Sequence, residues 1–210
     1  MARRQQPERQ LKRRSDFRVP KRVIQIFCEG EQTERQYFNE LKRQPEVADR
    51  AAVDLQVQRV QGVPMTLVEL ACLSKKRADE VDEIWCVFDV EAKADKPGNH
   101  PNLRKAIDQA KGNDIGLAIS NPCFELWLSL HTHPEPHPAA FLTTHDAVKL
   151  RQQLDGSADK EVDAAKYMPL RRIARDRAEA LDRKHYLDGS FFPDNNPSSS
   201  VHLLLASVEP

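Results

Sequence analysis

Acidic residues follow two short apolar segments of this chain. Glu29 comes directly after the run Val23–Cys28, and Asp89 and Glu91 come after the run Ile84–Phe88. In an extended segment, residues i and i+2 project to the same side, so Asp89 and Glu91 would face a single ion. Converging carboxylates repel each other unless a cation lies between them, and oxygen ligands suit Mg²⁺ or Mn²⁺. These residues predict a metal site formed by Glu29, Asp89 and Glu91; the alternative is that acids at strand ends only solvate a loop.

A metal ion at this position predicts hydrolysis of phosphodiesters. A bound divalent cation can polarise a phosphoryl oxygen and lower the pKa of a bound water, whose hydroxide then attacks phosphorus in line. Glu125, one helical turn after Pro122, is a candidate to hold a second ion or to orient the attacking water. The alternative for Glu125 is an acid that interacts favourably with the N-terminal dipole of a helix.

Other polar residues near the same edge are candidates for ligation or for contact with substrate. Ser120 and Asn121 are candidate donors to a phosphate at a helix start, although Asn-Pro is also an ordinary stop signal. His131 is a candidate catalytic residue that contacts substrate; the alternative is a packed or capping histidine. Glu31 and Glu34 are supporting candidates for a second ligand, or lie in the first turn of a helix.

Strand and helix patterns alternate along the first two thirds of the chain. Four apolar segments read as strands, and each is followed by a segment with helical spacing of its apolar residues. This alternation predicts an α/β fold with a mostly parallel sheet of about four strands flanked by helices. Parallel strands end at one edge, where open α/β sheets bind ligands. The predicted strands are Val23–Cys28, Leu55–Val60, Ile84–Phe88 and Ile115–Ile119, and the helices that follow them are Thr33–Lys42, Met65–Lys76, Leu103–Lys111 and Cys123–His131.

The composition changes at two places and predicts three regions. Residues 1–22 carry nine Lys or Arg and two Asp or Glu, so this arm is either a solvated tail or a contact for nucleic-acid phosphates. Residues 23–132 form the expected catalytic core, and residues 133–210 form a helical extension packed on it. In the extension, Arg171 and Arg175 are candidate contacts for a polynucleotide; the alternative is a salt-bridged, solvated helix face.

Cysteine usage and apolar run lengths favour a soluble, cytoplasmic protein. The four cysteines show no C-x-x-C pairing, which favours buried free thiols over a zinc site or disulfides. The longest apolar runs have five or six residues, too few to cross a bilayer or to form the apolar region of a signal peptide.

Four motifs, in this order along the chain, are similar to those of RloB-like proteins, and the similarity spans about Lys21 to Leu205. They are Ile26–Glu31 with Thr33, Glu34, Tyr37 and Phe38; Ile84–Asp89; Ala118–Pro122 with Phe124–Trp127 and His131; and Asn196–Val201. The resemblance implies a Toprim-like fold, with Glu29 as general acid/base or metal-proximal residue and with Asp89 and the second acid of its pair as metal ligands. The usual Asp-x-Asp is Asp89-Val90-Glu91 here, which affects the expected ligand geometry.

The leading hypothesis is a metal-dependent nuclease that acts on DNA or RNA, with Mg²⁺ or Mn²⁺ as cofactor. The resemblance also implies a role in bacteriophage defence, near restriction–modification and abortive-infection genes. An alternative is a Toprim-like binding or regulatory module that acts with a partner ATPase or restriction system; the chain has no G-x-x-x-x-G-K-[ST] motif of its own. A third hypothesis is phosphoryl transfer through an aspartyl-phosphate at Asp89. The sequence leaves the oligomeric state open.

Overall fold

The computed structural model describes residues 21–30, 32–49, 51–57, 64–77, 80–91, 102–135, 141–156 and 162–209. Residues 1–20 of the basic arm and Glu31 lie outside the described residues, as does the polar segment 92–101 that follows the Asp89 motif.

The described strands form one sheet in the order β2-β1-β3-β4-β5. The first four pair in parallel, and the short β5 pairs antiparallel with β4. The expected α/β fold, with a mostly parallel sheet of about four strands flanked by helices, is therefore confirmed. The strands are β1 (Arg22–Cys28), β2 (Ala51–Val57), β3 (Glu83–Asp89), β4 (Gly116–Asn121) and β5 (Ser198–Ser199).

Eight α-helices are present in the described part of the chain. They are α1 (Thr33–Leu41), α2 (Pro45–Ala48), α3 (Pro64–Arg77), α4 (Leu103–Gly112), α5 (Phe124–Thr132), α6 (Thr144–Asp155), α7 (Arg171–Leu187) and α8 (Val201–Val208). Two single 3₁₀ turns, Ala164–Lys166 and Met168–Leu170, precede α7. None of the described helices is long and apolar enough to cross a membrane.

The central strands are buried on both faces because successive side chains point to opposite sides of the sheet. In β1, Ile24 and Ile26 join one apolar cluster, whereas Phe27 joins the other. The first cluster also contains residues of α1, α5, α7 and α8, so the C-terminal extension packs into the same core as the sheet. The second cluster contains residues of α3 and α4. Helices thus cover both faces, as a parallel sheet requires.

Helices α1, α4 and α5 begin without a side-chain cap. At the start of α1, Gln32 occupies the cap position and makes no capping hydrogen bond. Asn102 precedes α4 with a left-handed backbone (φ 72°), and its side chain makes no capping hydrogen bond among the described residues. Cys123 occupies the cap position of α5, which begins at Phe124. The one capping box in the described helices belongs to α6, where Thr143 and Asp146 exchange hydrogen bonds.

Candidate metal centre

Glu29 stands at the carboxyl end of β1 and is tied to the end of β3. Its backbone N–H donates to the Val87 carbonyl at 3.1 Å, and its carboxyl accepts a hydrogen bond from the backbone N–H of Asp89. Burial, with the nearby charges of Glu91 and Glu34, raises the pKa of Glu29 to about 7. This carboxyl is therefore able to take up or release a proton near neutral pH.

Asp89 ends β3 and pairs in register with Ser120 of β4. Its carboxyl accepts a hydrogen bond from the backbone N–H of Phe124, in the first turn of α5. The Oδ1 atom is buried and finds no hydrogen-bond partner in the part of the chain that the structure describes. Burial, together with repulsion from Glu34, Glu125 and Glu29, raises the pKa of Asp89 well above its usual range. An unpaired buried carboxylate oxygen is costly, so this atom is a candidate ligand for a cation.

Glu91 is exposed and lies just beyond β3. Its backbone N–H donates to the Pro122 carbonyl at 2.9 Å, and its φ of 55° is left-handed. Asp89 and Glu91 therefore do not lie in one extended segment, because the strand ends at Asp89 and the backbone of Glu91 is left-handed. Glu91 still lies close enough to Glu29 for its charge to raise the pKa of that carboxyl. Its place in a metal site stays a prediction.

Glu34, which the sequence made only a supporting candidate, lies among these carboxylates. It is in the first turn of α1 and only 6% exposed. Its carboxyl accepts hydrogen bonds from its own backbone N–H and from that of Gly30. A Cβ added at Gly30 would overlap the Glu34 carboxyl, so the two residues are in close contact. Burial, with repulsion from Glu125, raises the pKa of Glu34 to about 7.

Glu125, in the first turn of α5, completes the group that we call the carboxylate cluster. It is partly buried, and its charge raises the pKa of both Glu34 and Asp89. The start of α1, the ends of β1 and β3 and the start of α5 therefore bring five acids to one edge of the sheet. The members of the cluster are Glu29, Glu34, Asp89, Glu91 and Glu125.

The donor chemistry of the carboxylate cluster fits a hard divalent cation. No three His, Cys, Asp or Glu side chains in the described residues stand close enough to hold a metal ion by themselves. Mg²⁺, however, is usually bound through one or two carboxylates and keeps several of its waters. Asp89, with one free buried oxygen, and the neighbouring carboxylates supply such ligands. Carboxylates are ligands of the kind that Mg²⁺ or Mn²⁺ takes, and a bound ion at this edge stays a prediction.

Ser120 and Asn121 lie at the same edge, but their side chains contact β5 and the segment that precedes it. The Ser120 hydroxyl is 3.1 Å from that of Ser199, and Asn121 Nδ2 donates to the Pro193 carbonyl at 2.8 Å. Asn121 Oδ1 accepts from Asn196 Nδ2 at 3.1 Å. Both side chains are almost fully buried. These contacts hold β4 to the loop before β5, and a role in binding phosphate stays a prediction.

His131 lies inside an aromatic group rather than at the carboxylate cluster. Its Nε2 is 3.2 Å from the Tyr37 hydroxyl, and its Nδ1 is 3.0 Å from the Trp127 carbonyl. The ring is 2% exposed, and burial lowers its pKa to about 4. These contacts favour the packed neutral histidine, the alternative reading of this residue.

Arg171 and Arg175 lie in the first turns of α7, and the structure does not bring them to the carboxylate cluster. Arg171 is buried, bonds Glu209 at 2.6 Å and donates to the Met168 carbonyl at 2.6 Å. It also lies 3.3 Å from Glu46 in α2. Arg175 lies 4.0 Å from Asp176. The contacts of Arg171 favour a structural role, because they join α7 to α2 and to the end of α8.

Comparison with known proteins gives one result. The model of the RloB-like protein family matches residues 24–208, which is nearly the whole chain. No curated protein and no solved structure matches the chain.

Proposed function

The chain belongs to the RloB-like protein family, and from this premise we propose that it is a metal-dependent nuclease that hydrolyses phosphodiester bonds at the carboxylate cluster. The observation that carries the proposal is Asp89 Oδ1, a buried carboxyl oxygen at the end of a central strand that has no hydrogen-bond partner among the described residues. That edge is where open α/β sheets bind ligands. A dense group of acids repels a polyanion, so binding a phosphate there needs a cation between the acids and the phosphate.

In this proposal, the residues of the carboxylate cluster bind the cation or transfer a proton. A bound Mg²⁺ or Mn²⁺ would offset negative charge on the scissile phosphate and lower the pKa of a bound water. Asp89, oriented by the N–H of Phe124, would hold the cation together with one neighbouring carboxylate, Glu34 or Glu125, and with water. Glu29 is oriented by the N–H of Asp89 and is partly exposed. It would accept the proton of the attacking water and return it to the leaving alcohol as the P–O bond breaks.

Nucleic acid is the proposed substrate because the basic arm would supply the phosphate contacts that the acidic edge lacks. Nine of the first 22 residues are Lys or Arg, and such segments bind polynucleotide backbones with a strong dependence on salt. A role in bacteriophage defence, with or without a partner ATPase, is part of this proposal. It predicts that cells carrying Asp89→Asn lose protection; equal plaque counts for wild type and variant would contradict it.

The test is cleavage of labelled DNA and RNA by full-length protein that has been freed of metal and then supplied with Mn²⁺ or Mg²⁺. Asp89→Asn should abolish Mn²⁺ binding in calorimetry, and Glu29→Gln should keep binding but lower the cleavage rate by about 100-fold or more. Exposed acids supply matched controls, Glu69→Gln in α3 and Asp108→Asn in α4, which should behave as wild type.

Two results would overturn the assignment. Full cleavage by Asp89→Asn would place the reaction elsewhere. Cation binding without cleavage by the wild-type protein, with activity appearing only beside a co-purifying ATPase, would favour the alternative of a regulatory or binding module.

A further inference from the structure

Tyr186 and Phe191 form an exposed pair of rings that we call the aromatic pair. Tyr186 lies in the last turn of α7 and is 73% exposed, and Phe191 follows that helix and is 63% exposed. The ring centroids are 6.5 Å apart, with an angle of 83° between the ring planes. Aromatic side chains usually bury most of their area, so this pair has apolar surface left over for a ligand.

Hydrogen bonds hold the segment after Phe191 at the carboxyl edge of the sheet. Two residues beyond Phe191, the Pro193 carbonyl accepts from Asn121 Nδ2 at 2.8 Å. Asn121 is the last residue of β4, one position after the residue that pairs in register with Asp89. Phe191 therefore lies at the same edge as the carboxylate cluster.

The end of α7 is held at the same place. His185 precedes Tyr186, and its Nε2 is 2.8 Å from the Pro197 carbonyl. Pro197 directly precedes Ser198 of β5, which pairs with Asn121 at the end of β4. Both rings of the aromatic pair thus stand where the carboxyl edge of the sheet meets β5.

Two exposed cations begin α4 at this edge. β3 ends at the carboxyl edge and the parallel β4 starts at the opposite one, so α4, which connects them, begins at the carboxyl edge. Arg104 and Lys105 lie in its first turn and make no ion pair with any described residue. Cations are disfavoured at this end of a helix dipole. Phe192, next to Phe191, packs against the apolar cluster that contains Leu103 of α4, so the rings and the cations adjoin one another.

Aromatic faces beside cations are the two components of a site for single-stranded nucleic acid. Unpaired bases expose faces on which aromatic side chains stack, and the phosphates of the same strand bind Arg and Lys. In a duplex, neighbouring base pairs cover those faces. An apolar protein partner would account for the rings but would leave the cations of α4 without a role.

We propose that the aromatic pair stacks on unpaired bases and that Arg104 and Lys105 bind the adjoining phosphates. A single strand, or an unpaired loop, then enters the carboxylate cluster in preference to a duplex. The inference rests on the proposed function and adds its substrate class.

The experiment measures fluorescence anisotropy of a labelled single strand and of a hairpin duplex with full-length protein in a chelator, so that no cleavage occurs. The double variant Tyr186→Ala/Phe191→Ala should bind the single strand about tenfold more weakly or worse and leave duplex binding unchanged. Tyr186→Phe keeps the ring and should bind as wild type. The matched control is Leu73→Ala, which removes an exposed apolar side chain from α3 and should also bind as wild type.

A second variant tests the cations through the salt dependence of binding. Arg104→Gln with Lys105→Gln should lower the slope of log affinity against log salt by about 1 to 1.5 for the single strand, because two phosphate contacts are lost. An unchanged slope would overturn the role of these two residues.

The outcomes separate this inference from the proposed function. Wild-type affinity in the double alanine variant would overturn the role of the rings and leave the nuclease standing. Equal affinity of wild type for both probes, or an equal loss for both in the variant, would overturn it as well. A wild-type dimer that the variant dissociates would assign the rings to a contact between two copies. Loss of single-strand binding in the variant, with no cleavage by wild type in Mn²⁺, would support the rings and overturn the nuclease.

Discussion

The buried carboxyl of Glu34 should make the metal-free protein less stable as pH rises. Its pKa is raised from 4.5 to about 7 in the folded protein, because burial and repulsion by Glu125 disfavour the charged form. Between these two values the folded state keeps a proton that the unfolded state has lost. Stability therefore falls as pH rises through this window, and the full cost is present above pH 7. Glu34→Gln, which carries no charge at any pH, removes that cost.

The size of the effect follows from the two pKa values. One pKa unit corresponds to about 1.4 kcal/mol, so a change from 4.5 to about 7 sets an upper bound of about 3.5 kcal/mol. Glu34 shares its repulsion with Asp89 and Glu125, so we expect a gain of about 1 to 3 kcal/mol. In a chain of 210 residues this corresponds to a rise in melting temperature of about 3 to 10 °C.

A glutamine can satisfy the hydrogen bonds at this site. The carboxyl of Glu34 accepts from two backbone N–H groups, its own and that of Gly30, and an amide oxygen can accept both. The substitution therefore removes the charge and keeps an acceptor for both backbone N–H groups.

The assay is thermal unfolding in the presence of a chelator at pH 5 and pH 8, for wild type, Glu34→Gln and the exposed control Glu69→Gln. Glu34→Gln should melt higher than wild type at pH 8 and close to it at pH 5, whereas the control should follow wild type at both. Mn²⁺ at pH 8 should raise the melting temperature of wild type more than that of Glu34→Gln. A variant that is destabilised equally at both pH values would refute the reasoning.

Two further outcomes are expected from buried groups outside the carboxylate cluster. Glu209→Gln should lower the free energy of unfolding in urea by about 3 kcal/mol, because it removes the buried charged partner of the Arg171 guanidinium. Glu46→Gln, on the exposed side of the same arginine, should lower it by less than about 1 kcal/mol. Equal effects of the two variants would contradict this prediction. The His131 imidazole packs against Tyr37 and has a pKa lowered from 6.5 to about 4, so it should stay neutral in NMR titrations down to about pH 5. The stability that the neutral ring contributes should be lost as pH falls from 6.5 towards 4. Titration of this ring near pH 6.5 would contradict its burial.

The sequence was sufficient for the fold class and for the positions of two acids. Apolar runs without helical spacing indicated strands, and their alternation with helices indicated a parallel sheet, which the structure has. The positions of Glu29 and Asp89 could be predicted because each directly follows the last apolar residue of a strand, and parallel strands end at the same edge of the sheet. These inferences use only local order along the chain and the general geometry of parallel sheets.

Tertiary structure alone decided how the polar side chains are used. In the sequence, Glu34 cannot be told from any acid in a first helical turn. In the structure, it is buried because α1 packs beside Glu125. His131 pairs with Tyr37, 94 positions away, and Asn121 with a loop 72 positions away. Periodicity shows which face of an element is apolar, but the partner and pKa of a buried polar group depend on residues that only packing brings together.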